Sequence, residues 1–311
     1  MSLIVASILV LMFLNLVLGS VSIPLKSVWN IICGLGDEPV TWQNIVWKSR
    51  LPQALTALVA GAGLAISGLQ MQTVFRNPLA GPSVLGISSG ASMGVAFVVL
   101  LSGSLGGVAL SKLGVMGEIA LSIAAVIGSL SVMALIVYVS QKVKGNVTLL
   151  IIGVMIGYVA NAVIGVLKFF SVEEDIRAYV IWGLGSFSRV SGNQMMLFVA
   201  IMAILIPLSF LLIKTLNLML LGDGYARNLG LNIKRARLLV ITSAGVLTAI
   251  VTAYCGPVIF LGLAVPHLCR AIFQTSDHRV LMPAVLFAGA ALALVCNLVA
   301  RMPGFEGALP V

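Results

Sequence analysis

The stretch "LGDGYARNLGLNIKRARLL", residues Leu221–Leu239, is a polar segment between two apolar ones. The residues before it read "IPLSFLLIKTLNLML" (206–220), and "LVITSAGVLTAIVTAY" (239–254) follows. Both flanks belong to apolar runs, at 194–213 and 236–255, that reach the roughly 20 residues a helix needs to cross a bilayer. The polar stretch therefore predicts a short loop at the surface of a membrane.

The composition of the whole chain supports this interpretation. Of its 311 residues, 60% are hydrophobic and 9% are charged, more apolar surface than a soluble core of this size can bury. Glycine is frequent, at 32 residues, which is typical of membrane helices that pack closely. The net charge of +9 comes mostly from lysines and arginines in short loops, a pattern that indicates membrane orientation rather than nucleic-acid binding.

Nine apolar segments are predicted to cross the membrane, all as helices because lipid cannot satisfy an open backbone. The predicted spans are 3–19, 54–72, 84–101, 117–140, 148–170, 194–213, 236–255, 256–272 and 280–300. The first is interpreted as a retained span, since the first 20 residues lack a basic start and a small-residue cleavage site. The predicted fold class is thus an all-α polytopic membrane protein.

Loop charge orients the predicted bundle with its N-terminus in the cytoplasm. The inner segments then carry ten basic and two acidic residues, and the outer segments carry eight basic and seven acidic ones. Leu221–Leu239 becomes a cytoplasmic loop, in which Asp223 is predicted to cap a short helix that Gly230 ends. Asn232 is predicted to cap the helix that follows. A short rigid helix of this kind suits a docking element, and an ordinary positively charged inner loop is the alternative.

Six motifs, spread in order over nearly the whole chain from about Trp42, carry a resemblance to a known family. They are "SRLPQALTALVAGAGLAISGLQMQTVFRNPLAGPSVLGISSGAS" (49–92), "WGLGSF" (182–187), "LGDGYARNLGLNI" (221–233), "GPVIFLGLAVPHLCR" (256–270), "DHRVLMPAVLFAGA" (277–290) and "EGALPV" (306–311). Together they resemble the FecCD/BtuC-like permease family. This family forms the membrane subunit of type II ABC importers for iron–siderophore complexes, haem and cobalamin.

The resemblance implies the architecture and the partners. It implies a homodimer of ten-helix subunits in the bacterial inner membrane, multi-pass and in contact with membrane lipid. A cytoplasmic ABC ATPase dimer is expected below it, and a periplasmic or lipoprotein solute-binding protein above it. Residues 1–311 would form a single transmembrane permease domain with about nine spans, the last family helix being absent after Val311. ATP and Mg²⁺ would bind to the partner ATPase, so no cofactor is expected in this chain.

The resemblance also implies three groups of site residues. Residues 221–233 match the cytoplasmic coupling helices that contact the ATPase. The expected coupling residues are Gly222, Asp223, Tyr225, Ala226, Arg227, Leu229 and Gly230. Arg50 and Arg301 match positions that receive acidic groups of the binding protein, with membrane headgroup anchoring as the alternative. Asn146 and Thr148 match the cytoplasmic gate, and Asn161 lies in the span that lines the translocation pathway.

No catalytic or metal site is predicted in this chain. It lacks the G-x-x-x-x-G-K-[ST] loop that cradles nucleotide phosphates. "GISSG" (86–90) fits the serine-hydrolase pattern around Ser88, but Gly86, Gly90 and Gly94 recur every four residues, which favours helix packing. Two separated histidines, His267 and His278, are too few for a metal site, and the four cysteines form no C-x-x-C pair.

Polar residues inside apolar spans indicate either helix–helix hydrogen bonds or a transport pathway, and both interpretations stay open for Gln70, Gln72, Asn161 and Asn297. The function predicted from all these features is ATP-driven import of an iron chelate, a siderophore or haem, by alternating access. Cobalamin is the alternative cargo. A secondary transporter and an intramembrane hydrolase are the alternatives from other classes. All nine acids map to loops or span ends, which disfavours ion-coupled transport.

Overall fold

A computed structural model describes residues 2–104, 115–143, 145–190 and 192–301. Over these ranges the chain is helical and contains no strand. The α-helices are α1 Ser2–Val17, α2 Leu25–Cys33, α3 Val40–Ile45, α4 Leu51–Phe75, α5 Ile87–Ser104, α6 Val115–Lys142, α7 Asn146–Phe169, α8 Glu173–Gly183, α9 Gly192–Phe210, α10 Ile213–Leu220, α11 Asp223–Asn228, α12 Ile233–Cys255, α13 Leu261–Phe273 and α14 His278–Val299. A π-helical turn, Val46–Arg50, joins α3 to α4, and 3-10 turns occupy Pro82–Leu85 and Phe187–Arg189.

Each of the nine predicted spans coincides with a helix. Among the described residues, six helical segments are long and apolar enough to cross a membrane, the longest being Val40–Phe75. The other three predicted spans correspond to shorter apolar helices, Ser2–Val17, Ile87–Leu101 and Leu261–Phe273. An all-α fold is therefore shown, with helices long and apolar enough to cross a membrane, whereas the numbers of nine spans and ten family helices stay predictions.

The structure corrects the predicted span at 256–272. Residues 256–260 are not helical, and α13 begins only at Leu261. Gly256 has a φ of +77°, a left-handed conformation that ends α12 and turns the chain. The short helices α2, α8 and α10 had no counterpart in the prediction. A search for runs of about 20 apolar residues cannot detect helices of 8 to 11 residues.

Helix α4 is the centre of the bundle and is buried along most of its length. It packs against α14, α12, α13 and α9. A Cβ added at Gly61 would lie 2.3 Å from the carbonyl oxygen of Gly289, and one at Gly68 would lie 1.6 Å from that of Gly262. Lipid provides no hydrophobic drive between helices, so close backbone contact through small residues holds α4 in place.

Helices α5 and α6 form a second close contact through glycine. A Cβ at Gly90 would lie 2.6 Å from the carbonyl oxygen of Gly128, and one at Gly94 would lie 2.2 Å from that of Ala124. The predicted packing face is confirmed for Gly90 and Gly94, whereas Gly86 precedes α5 with a φ of +73° and packs against Gly153 of α7. Ser88 on the same helix is 3.5 Å from the Thr252 hydroxyl, so the structure gives it a hydroxyl neighbour rather than a base.

Of the four polar residues noted inside predicted spans, all except Asn161 form hydrogen bonds to neighbouring helices. Gln70 donates to the Ser243 hydroxyl (3.1 Å), and Gln72 donates to the carbonyl of Leu263 (3.1 Å). Asn297 donates to Asn15 (2.8 Å), which ties α14 to α1. These bonds pair the amide nitrogens within the bundle and favour helix–helix bonding for Gln70, Gln72 and Asn297, whereas Oε1 of Gln70 is buried without a hydrogen-bond partner among the described residues.

The helix ends gather at two opposite faces of the bundle. The C-terminal end of α4 lies with α10, α11 and the start of α14, and this region is called the α11 end. The start of α4 lies with the C-terminal end of α1, and Arg301, just after α14, adjoins the same place. This region is called the Arg50 end. Helices α1 and α14 run parallel, as expected for a first and a ninth span.

Candidate functional site

Helix α11, residues Asp223–Asn228, is a single short helix at the surface of the α11 end. Gly222, with a φ of +96°, is its N-cap, so the prediction that Asp223 caps the helix is wrong. The helix ends where the amides of Gly230 and Leu231 donate to the carbonyls of Arg227 and Ala226, both at 2.9 Å. This is the predicted glycine stop at Gly230, whose φ is +87°.

Helix α12 begins immediately after this stop. The Asn232 side chain accepts a hydrogen bond from the Arg235 amide at 3.1 Å, which confirms the predicted cap. The polar stretch quoted above is therefore a corner, with a glycine at each end of α11 and a capped helix after it.

Helix α11 has two different faces. Ala226 is fully buried, and Asp223, one turn before it, points to the same side. Tyr225 and Leu229 lie one turn apart on the other side and are 74% and 61% exposed. A projecting helix that exposes large apolar side chains is typical of a contact surface for another protein. The exposed side, Tyr225 with Leu229, is called the contact face.

The buried side of α11 is held by an ion pair. Asp223 pairs with Arg76, the residue that ends α4, and its second oxygen lies 3.7 Å from Nη2 of the buried Arg237 on α12. Arg76 also donates to the carbonyl of Met219 at 3.4 Å. One carboxylate thus joins α11 to both α4 and α12.

A second polar network holds α10, the helix before α11. The Asn217 side-chain oxygen accepts from the His278 backbone amide (2.9 Å) and lies 2.8 Å from His278 Nδ1. His278 Nε2 lies 2.8 Å from the Thr73 hydroxyl on α4. The Asn217 amide donates to Asp277 at 2.6 Å. Backbone and side-chain hydrogen bonds to the Asp277 carboxylate, from Arg279 and Asn217, keep its pKa below the usual value.

At the Arg50 end, the Arg50 side chain points inward and is only 1% exposed. Its Nη1 donates to the carbonyls of Leu16 (2.8 Å) and Val17 (2.7 Å), and Nη2 donates to that of Val21. The last carbonyls of α1 have no partner within the helix, and Arg50 supplies one. The guanidinium therefore does not reach the surface of the bundle, where either a lipid headgroup or an acidic group of another protein would contact it.

Arg301 lies beside Arg50 and is partly exposed. Nη2 of each arginine lies 3.2 Å from the position of a Cβ on Gly19, so the two guanidinium groups are neighbours. Burial, and secondly the charge of Arg50, lowers the pKa of Arg301 to about 10, which leaves it positive at neutral pH. Arg301 Nη1 is buried without a hydrogen-bond partner in the part of the chain that the structure describes.

Helix α7 carries the three predicted pathway residues. Asn146 begins the helix, Thr148 in its first turn is exposed, and Asn161 is exposed near the middle. Asn161 lines a groove of about 230 Å³ with Tyr158, Ser83 and Ser89. The groove lies between α7 and the 3-10 turn Pro82–Leu85, whose Leu85 Cα would be 2.9 Å from a Cβ at Gly153. Asn161 thus differs from the buried amides because it faces open space.

The structure adds three residues that the sequence did not assign to this region. Arg76 counted only as one of the ten basic residues of the inner segments, Asn217 was not singled out, and His278 was considered as a metal ligand and rejected. Arg76 and Asp223 are 147 residues apart in the chain, and no local pattern indicates that they meet. Among the described residues, no group of three or more His, Cys, Asp or Glu side chains could hold a metal ion.

The chain is similar in sequence to permeases of two known transport systems. The chain is 35% identical over 270 residues to the vitamin B12 import system permease protein BtuC of Klebsiella pneumoniae subsp. pneumoniae, covering 86% of this chain and 78% of that protein. It is 33% identical over 296 residues to the hemin transport system permease protein HmuU of Yersinia pestis, covering 94% and 84%.

The fold matches a solved structure assigned to the metal-chelate type of ABC transporter, in an inward-facing conformation. The TM-score is 0.83 at 27% identity, covering 99% of this chain and 91% of that one. The FecCD transport family matches residues 7–311, almost the whole sequence. The chain is therefore a member of the FecCD transport family, the permease subunits of type II ABC importers.

Proposed function

We propose that this permease moves an iron chelate, a siderophore complex or haem, from the periplasm to the cytoplasm across the bacterial inner membrane. Transport proceeds by alternating access, driven by a separate ATPase. The family membership and the 33% identity to a hemin permease support an iron-chelate cargo. Cobalamin is the second candidate, favoured by the 35% identity to BtuC.

The observation that carries the proposal is the contact face of α11. Tyr225 and Leu229 expose apolar surface on a helix whose other side is fixed to the bundle. A helix that is fixed to the bundle on one side and exposes apolar side chains on the other suits contact with a soluble partner that displaces it. The proposed partner is the ATPase dimer. Gly222 and Gly230 set the bounds of the helix, and exposed Arg227 contributes polar contact at its edge. Asp223 and Ala226 act behind the contact face.

The exposed side of α7 is proposed to line the pathway together with a second copy of the chain. Along α7, Val154, Tyr158 and Asn161 recur at helical spacing and are exposed, while Gly153 and Gly157 pack inward. A homodimer that joins two such faces would form a pore with amide and hydroxyl groups on an otherwise apolar wall. Asn146 and Thr148, at the start of the same helix, are proposed to form its cytoplasmic gate.

The Arg50 end is proposed to receive an acidic group of the solute-binding protein. Arg301 is the accessible member of the pair, and Arg50 adds a second positive charge directly behind it. A guanidinium beside another cation favours a carboxylate as its ligand, because the carboxylate relieves the repulsion between the two. Each subunit of the homodimer would supply one such site at the entrance.

The distribution of acids supports an ATP-driven importer over a secondary transporter. A secondary transporter carries a carboxylate at the middle of the membrane for ion coupling. In the residues that the structure describes, Glu118 lies in the first turn of α6, and Asp223 and Asp277 lie at the α11 end. No acid occupies the middle of a long apolar helix in these ranges.

The test is uptake into proteoliposomes that contain the permease with a partner ATPase of this importer type and a solute-binding protein. Radiolabelled haem, a ferric siderophore and cyanocobalamin are offered separately, with ATP inside the vesicles. Haem or siderophore uptake that requires ATP supports the proposal. Uptake of cyanocobalamin alone would make the second candidate correct, and ATP-independent uptake driven by an ion gradient would contradict both.

A further inference from the structure

The backbone of Arg76 has a conformation that its residue type does not favour. Arg76 ends α4 with φ +48° and ψ +40°, in the left-handed region. The Asn77 amide donates to the Gln72 carbonyl at 3.2 Å, so this is the position where helices most often place glycine. An arginine is costly here because its Cβ crowds the backbone. A residue kept in such a conformation indicates that its side chain has a role.

The side chain of Arg76 reaches across to the coupling region. It pairs with Asp223 at the start of α11 and donates to the Met219 carbonyl near the end of α10. Arg237 is the other cation at this carboxylate, 3.7 Å from its second oxygen. Arg76 therefore links the end of α4 to α10, through the Met219 carbonyl, and to α11, through Asp223.

A second contact joins the same turn of α4 to α10. Thr73, one turn before Arg76, lies 2.8 Å from the His278 ring, whose other nitrogen lies 2.8 Å from Asn217 on α10. The α10–α11 corner therefore holds the last turn of α4 at two points. If the α10–α11 corner is displaced, either the last turn of α4 moves with it or one of these two contacts breaks.

The end of α4 leads directly to the groove on α7. After Arg76 the chain runs five residues to the 3-10 turn Pro82–Leu85. Ser83 and Val84 of this turn line the groove that contains Asn161. The Val84 carbonyl oxygen lies 2.9 Å from the position of a Cβ on Gly153, so the turn and α7 are in contact. A continuous path of contacts thus leads from α11 to the groove.

We propose that Arg76 is a positioning residue of the transport cycle, which transmits displacement of α11 through Asp223 into the end of α4 and the Pro82–Leu85 turn. The inference rests on the proposed function, because it takes the ATPase to move α11. It predicts that Arg76 is needed to link ATP hydrolysis to rearrangement of the groove, and is needed neither for folding nor for ATPase binding.

Arg76→Gly tests this inference, because glycine relieves the backbone strain while removing the side chain. Gln274→Gly is the matched control. Gln274 is the other non-glycine residue with a positive φ (+47°) in the described part of the chain. It also ends a helix, α13, and is exposed. Both variants receive the same backbone relief, and only Arg76→Gly loses the ion pair to α11.

The measurement is made on the permease–ATPase complex, in a cysteine-free background that carries Asn161→Cys as a probe in the groove. The rate of maleimide labelling at this cysteine is compared between nucleotide-free and vanadate-trapped states. ATP hydrolysis and ATPase co-purification are measured in parallel. We expect the wild type and Gln274→Gly to show the nucleotide-dependent change in labelling. Arg76→Gly should lose most of that change while it still binds the ATPase and hydrolyses ATP.

Two further variants separate transmission from a simple structural role. Arg76→Lys keeps the charge and should restore part of the labelling change. Asp223→Asn should reproduce the effect of Arg76→Gly, and combining the two should add little, because both break the same pair. A normal labelling change in Arg76→Gly would overturn the inference while leaving the proposed function intact. Absence of any change in the wild type would contradict the proposed function itself.

Discussion

The two ends of α4 each carry an arginine, and the two arginines have opposite environments. Arg50, immediately before the helix, is buried and bonded to backbone carbonyls of α1 and the segment that follows it. Arg76, immediately after the helix, is 43% exposed at its side chain and paired with a carboxylate on α11. The contact of Arg50 joins α1 to the start of α4 inside the bundle. The contact of Arg76 joins the end of α4 to α11, a helix at the surface.

This difference shows how one residue type can serve either as a fixed joint or as a link that transmits motion. A charge that is buried against carbonyls is costly to release, because its partners lose their hydrogen bonds away from water. An exposed ion pair contributes little to stability, and its partners can move together without loss of folding. The predictions below test this distinction, beginning with the largest expected effect.

The largest effect is expected for Arg50→Ala. It removes the donor from the carbonyls of Leu16, Val17 and Val21, and we expect a loss of about 3 kcal/mol in the free energy of unfolding. Thermal unfolding of the purified permease in detergent measures this loss. Lys48→Ala, which removes an exposed cation from the same turn, should unfold like the wild type. Equal stability of Arg50→Ala and Lys48→Ala would mean that Arg50 is not a fixed joint.

The next effect concerns the contact face of α11. Leu229→Glu places a charge on its exposed apolar surface and should weaken ATPase binding roughly 30-fold, or about 2 kcal/mol. The melting temperature of the permease should not change. Ala226→Glu on the buried side should instead destabilise the permease, because its carboxylate would be buried among helices. Binding to an immobilised ATPase and unfolding curves distinguish the two, and identical behaviour would contradict the two-faced helix.

A smaller effect is expected at Arg301, the partly exposed neighbour of Arg50. Arg301→Glu should weaken the binding of the loaded solute-binding protein to the permease about tenfold, or roughly 1.4 kcal/mol. The concentration of binding protein that is needed to stimulate ATP hydrolysis measures this loss. Basal hydrolysis should stay normal, since the α11 end is unchanged. The effect should diminish with added salt, because the charge is partly exposed. Stimulation that stays normal at low salt would remove the Arg50 end as the docking site.

The smallest effect is expected for the stability of Arg76→Gly. Relief of the left-handed backbone contributes roughly 1–2 kcal/mol. The conformational freedom that glycine loses on folding costs about 0.5–1 kcal/mol, and loss of an exposed ion pair costs about 0.2–1 kcal/mol, so the changes nearly cancel. Gln274→Gly gains the same backbone relief without losing an ion pair, so it should be more stable than Arg76→Gly. Unfolding curves of the two variants and the wild type provide the measurement. A large loss of stability in Arg76→Gly would make Arg76 a fixed joint like Arg50.

Much of the fold could be read from local sequence. Apolar runs predicted a helix at each of nine places, and in the glycine repeat Gly90 and Gly94 predicted the face on which α5 packs against α6. The end of α11 at Gly230 and the cap at Asn232 were also predictable, because caps and stops depend on residues within one turn. Position 223 was misassigned because aspartate is favoured both as an N-cap and in the first turn of a helix.

The candidate site was predictable only in outline. The motif at 221–233 indicated a coupling element, but not which side of α11 faces outward. Ala226 is buried and Leu229 is exposed, although the two lie only three residues apart. Their positions in the motif do not indicate which of the two side chains faces outward. Similarly, the "RLP" segment indicated a basic residue near the outer surface, whereas the structure turns Arg50 inward to the end of α1.

By itself, the sequence determined that this protein is an all-helical membrane permease and which segment of it carries the candidate coupling helix. Hydropathy, glycine spacing and helix caps are properties of neighbouring residues, and they act before the chain is packed. Only the tertiary structure decided that Arg50 caps α1, that Arg76 holds Asp223, and that Gln70 and Asn161 have different surroundings. Those outcomes depend on partners that lie far away in the chain, and charges and amides choose their partners only when packing brings them within hydrogen-bonding distance.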